Sequence, residues 1–101
     1  MANASQILVA IRYRTKENPV FSAELERAFG MTGAEVRNLI RELRREGHPI
    51  ANDKGYYYAK SYEEFKPTLD DLEHRAESLF NTVKKFKIAF GIETSNQSSL
   101  F

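Results

Sequence analysis

The sequence contains no cysteine and no tryptophan, and its 101 residues include only three prolines and five glycines. Because cysteine is absent, a disulfide scaffold, a zinc knuckle and a thiol nucleophile are excluded, and the composition fits a reducing compartment. The apolar run that ends at Ile11 is far shorter than the ~18 residues of a membrane span, and no basic-then-apolar signal peptide is present. We therefore expect a cytoplasmic protein with no membrane partner.

The chain also has almost no net charge, because 15 Lys and Arg residues oppose 14 Asp and Glu residues. This balance excludes a strongly basic histone-like protein and an acidic disordered tail. The charges are unevenly placed: residues 1–60 carry 10 basic and 7 acidic side chains, whereas residues 61–101 carry 5 and 7. Hydrophobic residues make up 42% of the chain, which is enough for the core of one small domain.

Apolar periodicity and capping residues predict three helices in the first half of the chain. The first helix is predicted over residues 5–14 with Ser5 as its N-cap. The second covers residues 23–29, with Ser22 as the cap and Gly30 at its end. The third begins at the capping-box pair Thr32 and Glu35 and runs to about residue 45.

Two short β elements are predicted around these helices. Val20 and Phe21 are expected to pair as an edge strand. Residues 48–51 and 56–59 flank the turn-forming segment 52–55, which predicts a β-hairpin. In its second strand, Tyr57 should point away from the face that Tyr56 and Tyr58 share.

Helix, short strand, helix, tight turn, helix and hairpin is the order of elements in a winged helix-turn-helix. Residues 21–59 carry the match, with the turn at Gly30–Thr32 and the wing between Gly47–Ile50 and Gly55–Tyr57. The chain from about Ser5 to Ala59 resembles the small winged helix-turn-helix domains of bacterial regulators, of the biotin-repressor type. It also looks similar to small phage and prophage proteins that add a long terminal helix. The resemblance implies a mainly α fold with a small β-hairpin (α+β) and a DNA-binding domain over residues 1–60.

The third helix has an outward face suited to reading double-stranded DNA. At 100° per residue, its apolar positions gather within about 100° of arc, and Asn38, Arg41 and Arg45 point away from them. Arginine pairs with guanine and asparagine with adenine at the edge of the major groove. The residues expected nearest the bases or the phosphates are Thr32, Ala34, Arg37, Asn38, Arg41, Arg44, Arg45 and, at the wing tip, Lys54.

The alternative for this helix is a plain solvated face, which is the usual state of exposed arginines on a helix. Its position between a helix-turn and a wing favours the DNA-binding interpretation instead. Glu35 and Glu42 lie to one side of the arginines and would repel phosphate if they faced it. The tyrosines of the hairpin are interpreted as cover for the core and not as stacking platforms for bases.

Residues 61–91 are predicted to form one long helix. Ser61 and Glu64 have capping-box spacing, Pro67 is tolerated only near the first turn, and Gly91 ends the helix. Its apolar residues alternate by three and four, which is typical of a coiled coil. We call this set the heptad stripe: Leu69, Leu72, Ala76, Leu79, Val83, Phe86 and Phe90.

The heptad stripe predicts a homodimer, because a helix of that length exceeds what a domain of about 60 residues can cover. Acidic residues dominate the start of the helix, and Lys84, Lys85 and Lys87 come at its end. An antiparallel pair would set these opposite charges against each other, whereas a parallel pair would align like with like.

Residues 92–101 form a polar tail that is expected to be flexible and that ends in two apolar residues. The tail resembles the bacterial sliding-clamp-binding peptide, with the matching residues Gln97, Ser99, Leu100 and Phe101. The resemblance implies that leucine and phenylalanine fill apolar pockets on the clamp. Ser98 departs from the leucine often found at that position, and the alternative is an ordinary polar tail.

We find no pattern that predicts an enzyme, a metal site or a cofactor. His48 and His74 are the only histidines, and the adjacent Asp70 and Asp71 do not face each other on a helix. The sequence therefore predicts a dimeric DNA-binding protein acting in transcription regulation or DNA replication. The alternative is a protein-interaction module that uses the same winged fold and long helix to bind proteins.

Overall fold

The structure, a computed structural model, describes residues 3–92 and has the expected α+β composition. The helices are α1 (Ala4–Arg12), α2 (Ser22–Phe29), α3 (Gly33–Arg45) and α4 (Tyr62–Ala89), and the strands are β1 (Ile50–Asn52) and β2 (Tyr56–Tyr58). This order of elements is compatible with a winged-helix-like layout. Within residues 3–92, none of the helices combines the length and the apolar character that crossing a bilayer requires.

The starts of α1 and α2 differ from the sequence prediction. The N-cap of α1 is Asn3 and not Ser5, because the Asn3 side chain and Gln6 form a reciprocal capping box. Ser22 is the first residue of α2 and not its cap. The backbone N–H of Phe21 donates to the Glu24 carboxylate at 3.3 Å, and the Ser22 hydroxyl donates to Glu26 at 2.9 Å. Glu24, in the first turn of α2, therefore makes the capping contact that the sequence predicts for Ser22.

The turn between α2 and α3 forms as the sequence predicts. Gly30 adopts a left-handed conformation with φ of 61°, and the next N–H, that of Met31, bonds to the Glu26 carbonyl at 3.0 Å. Thr32 then caps α3: its hydroxyl accepts from the Glu35 N–H at 3.1 Å, and the Glu35 carboxylate accepts from the Thr32 N–H at 2.9 Å. Both devices fix the direction in which α3 leaves the turn.

The hairpin is shorter than the sequence predicts and shifted by one or two residues. The antiparallel strands pair Ile50 with Tyr58, Ala51 with Tyr57 and Asn52 with Tyr56, so Asn52 belongs to the strand and not to the turn. Val20 bonds to Tyr56 in both directions, at 2.9 and 2.8 Å, which confirms the predicted edge pairing as a single bridge. The hairpin is thereby joined to the segment that precedes α2.

The buried apolar residues form two clusters in the first part of the chain. The larger one joins α1, α2 and α3 to one face of the hairpin, and its fully buried side chains include Ile7, Ile11, Leu25, Val36, Ile40, Leu43 and Ile50. The smaller one contains Ala51, Tyr57 and Ala59, with Phe65 packed against it. Tyr57 and Tyr56 thus face opposite sides of the hairpin, as predicted.

Contacts divide the chain into two compact units, Met1–Thr68 and Leu69–Phe101. The boundary lies inside α4, whereas the sequence suggested a division after residue 60. The first turns of α4 belong with the first unit because Phe65 packs on the smaller cluster and Thr68 accepts a hydrogen bond from the Asn52 N–H at 3.2 Å. None of the 28 residues of α4, all of which the structure describes, is buried.

Candidate nucleic-acid interface

The face of α3 that lies opposite the core is lined by exposed polar and basic side chains. Val36, Ile40 and Leu43 are buried on the core side, which is the clean amphipathic division that the sequence predicts. Of the residues proposed to meet DNA, the structure exposes seven: Thr32, Ala34, Arg37, Asn38, Arg41, Arg45 and Lys54. These side chains are therefore accessible to a ligand.

Asn38 and Arg41 are brought together on this face. The Arg41 guanidinium donates a hydrogen bond to the Asn38 side-chain oxygen at 3.0 Å, and both side chains are exposed. The Asn38 amide then retains its N–H donors and the second lone pair of its oxygen. Pairing with adenine needs one donor and one acceptor, both of which Asn38 still has. Guanine presents two acceptors in the major groove and suits the pair as it stands.

Arg37 lies over the start of α3, near Glu26 of α2. A Cβ atom added at Gly33 would be 3.3 Å from Arg37 Nη1 and 3.5 Å from Glu26 Oε2. The absence of a side chain at Gly33 leaves room for the guanidinium there. The wheel of a single helix does not show this arrangement, because Glu26 belongs to the preceding helix. The spacing of Gly33 and Arg37, four residues apart, is the only signal in the sequence that could have indicated it.

Arg44 differs from the other arginines of α3 because it is half-buried and joined to the hairpin. Its Nε atom donates to the backbone carbonyl of Ile50 at 2.9 Å. At the same end of the hairpin, His48 Nδ1 and the Tyr58 hydroxyl are 3.0 Å apart. Sequence reasoning placed Arg44 among the phosphate contacts and missed this structural role, since a helical wheel does not include a strand that starts five residues after the helix.

Glu35 is less of an obstacle to an anionic ligand than the sequence suggested. Its carboxylate is engaged by the Thr32 N–H at 2.9 Å and is half-buried at the start of α3. A carboxylate in that position is stabilised by the positive end of the helix dipole. Glu42 remains exposed on α3. The negative charge that a nucleic acid would meet on this helix is therefore mainly that of Glu42.

Lys54 lies at the exposed turn of the hairpin, which is held close to the preceding segment. Gly55 is buried beside it, and a Cβ atom at this position would come within 2.9 Å of the Val20 carbonyl oxygen. This close approach fixes where the turn lies relative to residues 19–21. Lys54 is thus presented from a well-defined turn within the same unit as α3.

The heptad stripe on α4 is largely exposed. Leu69 and Leu72 are half-buried, whereas Leu79, Phe86 and Phe90 have 67%, 63% and 78% of their surface exposed. Ala76 is exposed, and Val83 is 39% exposed. The clamp-binding residues proposed from the sequence, Gln97, Ser99, Leu100 and Phe101, lie outside the described residues.

Comparisons with known proteins identify no relative: no protein-family model, curated protein or solved structure matches this chain significantly. Across residues 3–92, no group of three or more His, Asp or Glu side chains is placed to hold a metal ion. The candidate interface therefore depends on the geometry of α3 and the hairpin alone.

Proposed function

We propose that this chain is a DNA-binding protein that reads duplex DNA with α3 and the tip of the hairpin, and that it acts as a homodimer. The observation that carries the proposal is the exposed row Arg37, Asn38 and Arg41 on a helix that follows a tight helix turn and precedes a hairpin. In helix-turn-helix proteins the second helix of the pair enters the major groove in this position.

The interface divides into base-facing and phosphate-facing parts. Arg37 and Asn38 lie in the first half of α3, nearest the turn, where base contacts are usually made, and Arg41, which is joined to Asn38, follows just past the middle of the helix. Arg45 at the end of the helix and Lys54 at the hairpin turn are placed at the margins and suit phosphate. Since the net charge of the chain is only +1, we expect modest binding per subunit. Self-association through α4 would then add the second half-site.

Fluorescence anisotropy with a labelled duplex tests the proposal. The duplex is first enriched from a pool with a randomised centre, because the recognised sequence is unknown. We expect Arg37→Ala and Arg41→Ala to weaken binding by about 1–3 kcal/mol each, since each removes a bidentate contact to a base. Arg12→Ala, an exposed arginine on α1, is the matched control and should leave affinity nearly unchanged.

The alternative is a protein-interaction module with the same fold, and salt dependence separates the two. Neutralisation of phosphates releases counterions, so the affinity for a duplex should fall steeply between about 50 and 200 mM salt. A chain that captures no duplex at low salt, or that binds equally well with both arginines removed, would refute DNA binding and favour the interaction module.

The C-terminal peptide is a separate part of the proposal, and its partner would be the bacterial sliding clamp. It is supported by the residues Gln97, Ser99, Leu100 and Phe101 alone. Deletion of Leu100 and Phe101 should abolish clamp binding, because these two residues supply the apolar anchors. A pull-down with purified clamp that retains the truncated chain would contradict this assignment, and deletion of the polar pair Thr94 and Ser95 is the control.

A further inference from the structure

The self-association proposed above can be given an orientation and a register from the residues that flank the heptad stripe. In heptad notation Leu69, Ala76, Val83 and Phe90 occupy positions a, and Leu72, Leu79 and Phe86 occupy positions d. We propose that α4 pairs with α4 of a second copy in an antiparallel arrangement, with Val83 of one copy packed on Leu79 of the other. This inference deepens the proposed dimer but does not depend on DNA binding.

The orientation follows from the charges beside the stripe. Glu73 and Lys87 both occupy position e, and in an antiparallel pair the e residues of the two helices lie next to each other. Glu73 of each copy then meets Lys87 of the other, which makes two ion pairs. In a parallel pair, e residues meet g residues five positions away. The neighbours would then be Thr68 with Glu73, Arg75 with Phe80, and Thr82 with Lys87, none of which is oppositely charged.

The register follows from the layers of the seam. With Val83 on Leu79, the other layers are Phe86 on Ala76 and Phe90 on Leu72, each formed twice by symmetry. The large Phe86 side chain thus meets the smallest residue of the stripe. Such a pairing of large with small side chains fills an interhelical space evenly.

Neighbouring registers are less suitable. A shift by one heptad in one direction brings Phe65 opposite Phe90, but Phe65 already packs on Ala51 and Tyr57 of its own chain. That shift also places Lys66 beside Lys87 at the e positions. The opposite shift leaves Leu72 and Ala76 without a facing layer and so shortens the seam.

The exposed fractions support an interface at this place. Leu79, Phe86 and Phe90 are each more than 60% exposed, and they lie on one side of a helix with no buried residue. Contiguous exposed apolar surface of this kind marks an interaction site in soluble proteins. The acidic and basic e residues that complement each other, Glu73 and Lys87, belong to the same chain. The partner that fits this surface is therefore a second copy of the chain.

Sedimentation equilibrium of the full chain tests the register with two charge reversals, Glu73→Lys and Lys87→Glu. Either variant alone places two like-charge pairs beside the seam, so we expect its dimer dissociation constant to rise roughly tenfold or more. An equimolar mixture of the two restores opposite charges at both sites. We therefore expect the mixture to form heterodimers with a dissociation constant close to that of the unchanged chain.

The matched controls are Glu77→Lys and Lys84→Glu, which make the same charge changes at b positions on the outer side of the helix. We expect each to alter the dissociation constant by less than about threefold, with no preference for heterodimers when mixed. Circular dichroism checks that every variant keeps its helix content.

A monomeric chain at about 100 µM, unchanged dimers of both e-position variants, or equal effects at the b positions would each overturn the antiparallel register. The Arg41→Ala variant distinguishes a failure of this inference from a failure of the DNA-binding proposal. If it dimerises normally and the unchanged chain binds no duplex, the DNA-binding proposal fails and this inference stands. If a monomeric chain binds duplex, only this inference fails.

Discussion

The two units of the chain carry similar apolar patterns that differ in how far they are buried. On α3, Val36, Ile40 and Leu43 repeat at helical spacing and are at most 2% exposed, because α1, α2 and the hairpin cover them. On α4, Leu79, Val83 and Phe86 repeat in the same way and are at least 39% exposed. A periodic stripe therefore predicts that a helix face needs cover, but it does not say which element or which copy provides it.

The largest contrast between the units is expected in core truncation. Ile40→Ala should lower the free energy of unfolding of the first unit by about 2–5 kcal/mol, because it leaves a cavity in a closely packed cluster. Leu79→Ala should change it by less than about 0.5 kcal/mol at protein concentrations where the chain is monomeric.

Urea unfolding followed by tyrosine fluorescence measures this contrast. All five tyrosines, from Tyr13 to Tyr62, belong to the first unit, so the signal reports on that unit. Repeating the titration by circular dichroism at high protein concentration should make Leu79→Ala destabilising as well. Equal losses from the two substitutions under dilute conditions would mean that the stripe is covered by its own chain.

A smaller contrast is expected between two glycines of the first unit. Gly55→Ala places a Cβ atom 2.9 Å from the Val20 carbonyl oxygen and 3.1 Å from the Pro19 Cβ, so the hairpin turn must shift. We expect a loss of about 1–3 kcal/mol. Gly33→Ala is the control, since its nearest neighbours are the ends of the Arg37 and Glu26 side chains, which can move.

The same tyrosine-monitored unfolding experiment compares the glycine variants. We expect the stability of Gly33→Ala to equal or slightly exceed that of the unchanged chain, because alanine favours a helix over glycine. If Gly55→Ala were as stable as Gly33→Ala, the close approach of the turn to residues 19–21 would be wrong.

The smallest effect is a pH dependence that originates in the second apolar cluster. Burial, followed by the negative charges of Glu64, Asp53 and Glu17, raises the pKa of the Tyr57 hydroxyl above its ordinary value of 10.0. The unfolded chain then loses this proton at a lower pH than the folded chain. The stability that this hydroxyl contributes is fully present below its pKa in the unfolded chain, about 10. It is lost as the pH rises through the higher pKa of the folded chain.

Tyr57→Phe should therefore reduce the alkaline loss of stability. At neutral pH it should cost little, because the hydrogen bond to the Glu64 carbonyl is long at 3.5 Å. Thermal unfolding between pH 8 and 11 measures the difference, and Tyr62→Phe on the exposed side of α4 is the control. Identical alkaline profiles for the two variants would exclude Tyr57 as the source.

Local patterns account for most of what the sequence could predict. The Thr32–Glu35 capping box and the left-handed Gly30 depend on residues three or four positions apart, so they are readable directly. The predicted N-cap of α1 was wrong because Ser5 and Asn3 are both residue types that cap helices well. Only Asn3 has Gln6 three residues later, where its side chain completes a capping box. Ser22 was misassigned because Glu24 satisfies the first N–H in place of a side chain before the helix.

The parts that could not be predicted are contacts between elements. Arg44 is predicted from the sequence to meet phosphate because the wheel of α3 does not show where β1 begins. The boundary between the two compact units lies inside α4, because Phe65 belongs to this helix and yet packs against the smaller cluster at the hairpin. In both cases one side chain serves two elements, and the sequence pattern of either element describes only one of its roles.

The absence of any buried residue on α4 also affects how the protein would respond to its own abundance. If the stripe is covered only by a second copy, the amount of dimer below the dissociation constant grows with the square of the total concentration, by mass action. Doubling the number of chains in a cell would then raise the amount of dimer about fourfold. A DNA site that requires both subunits would be occupied only above a threshold of expression, without any effector ligand.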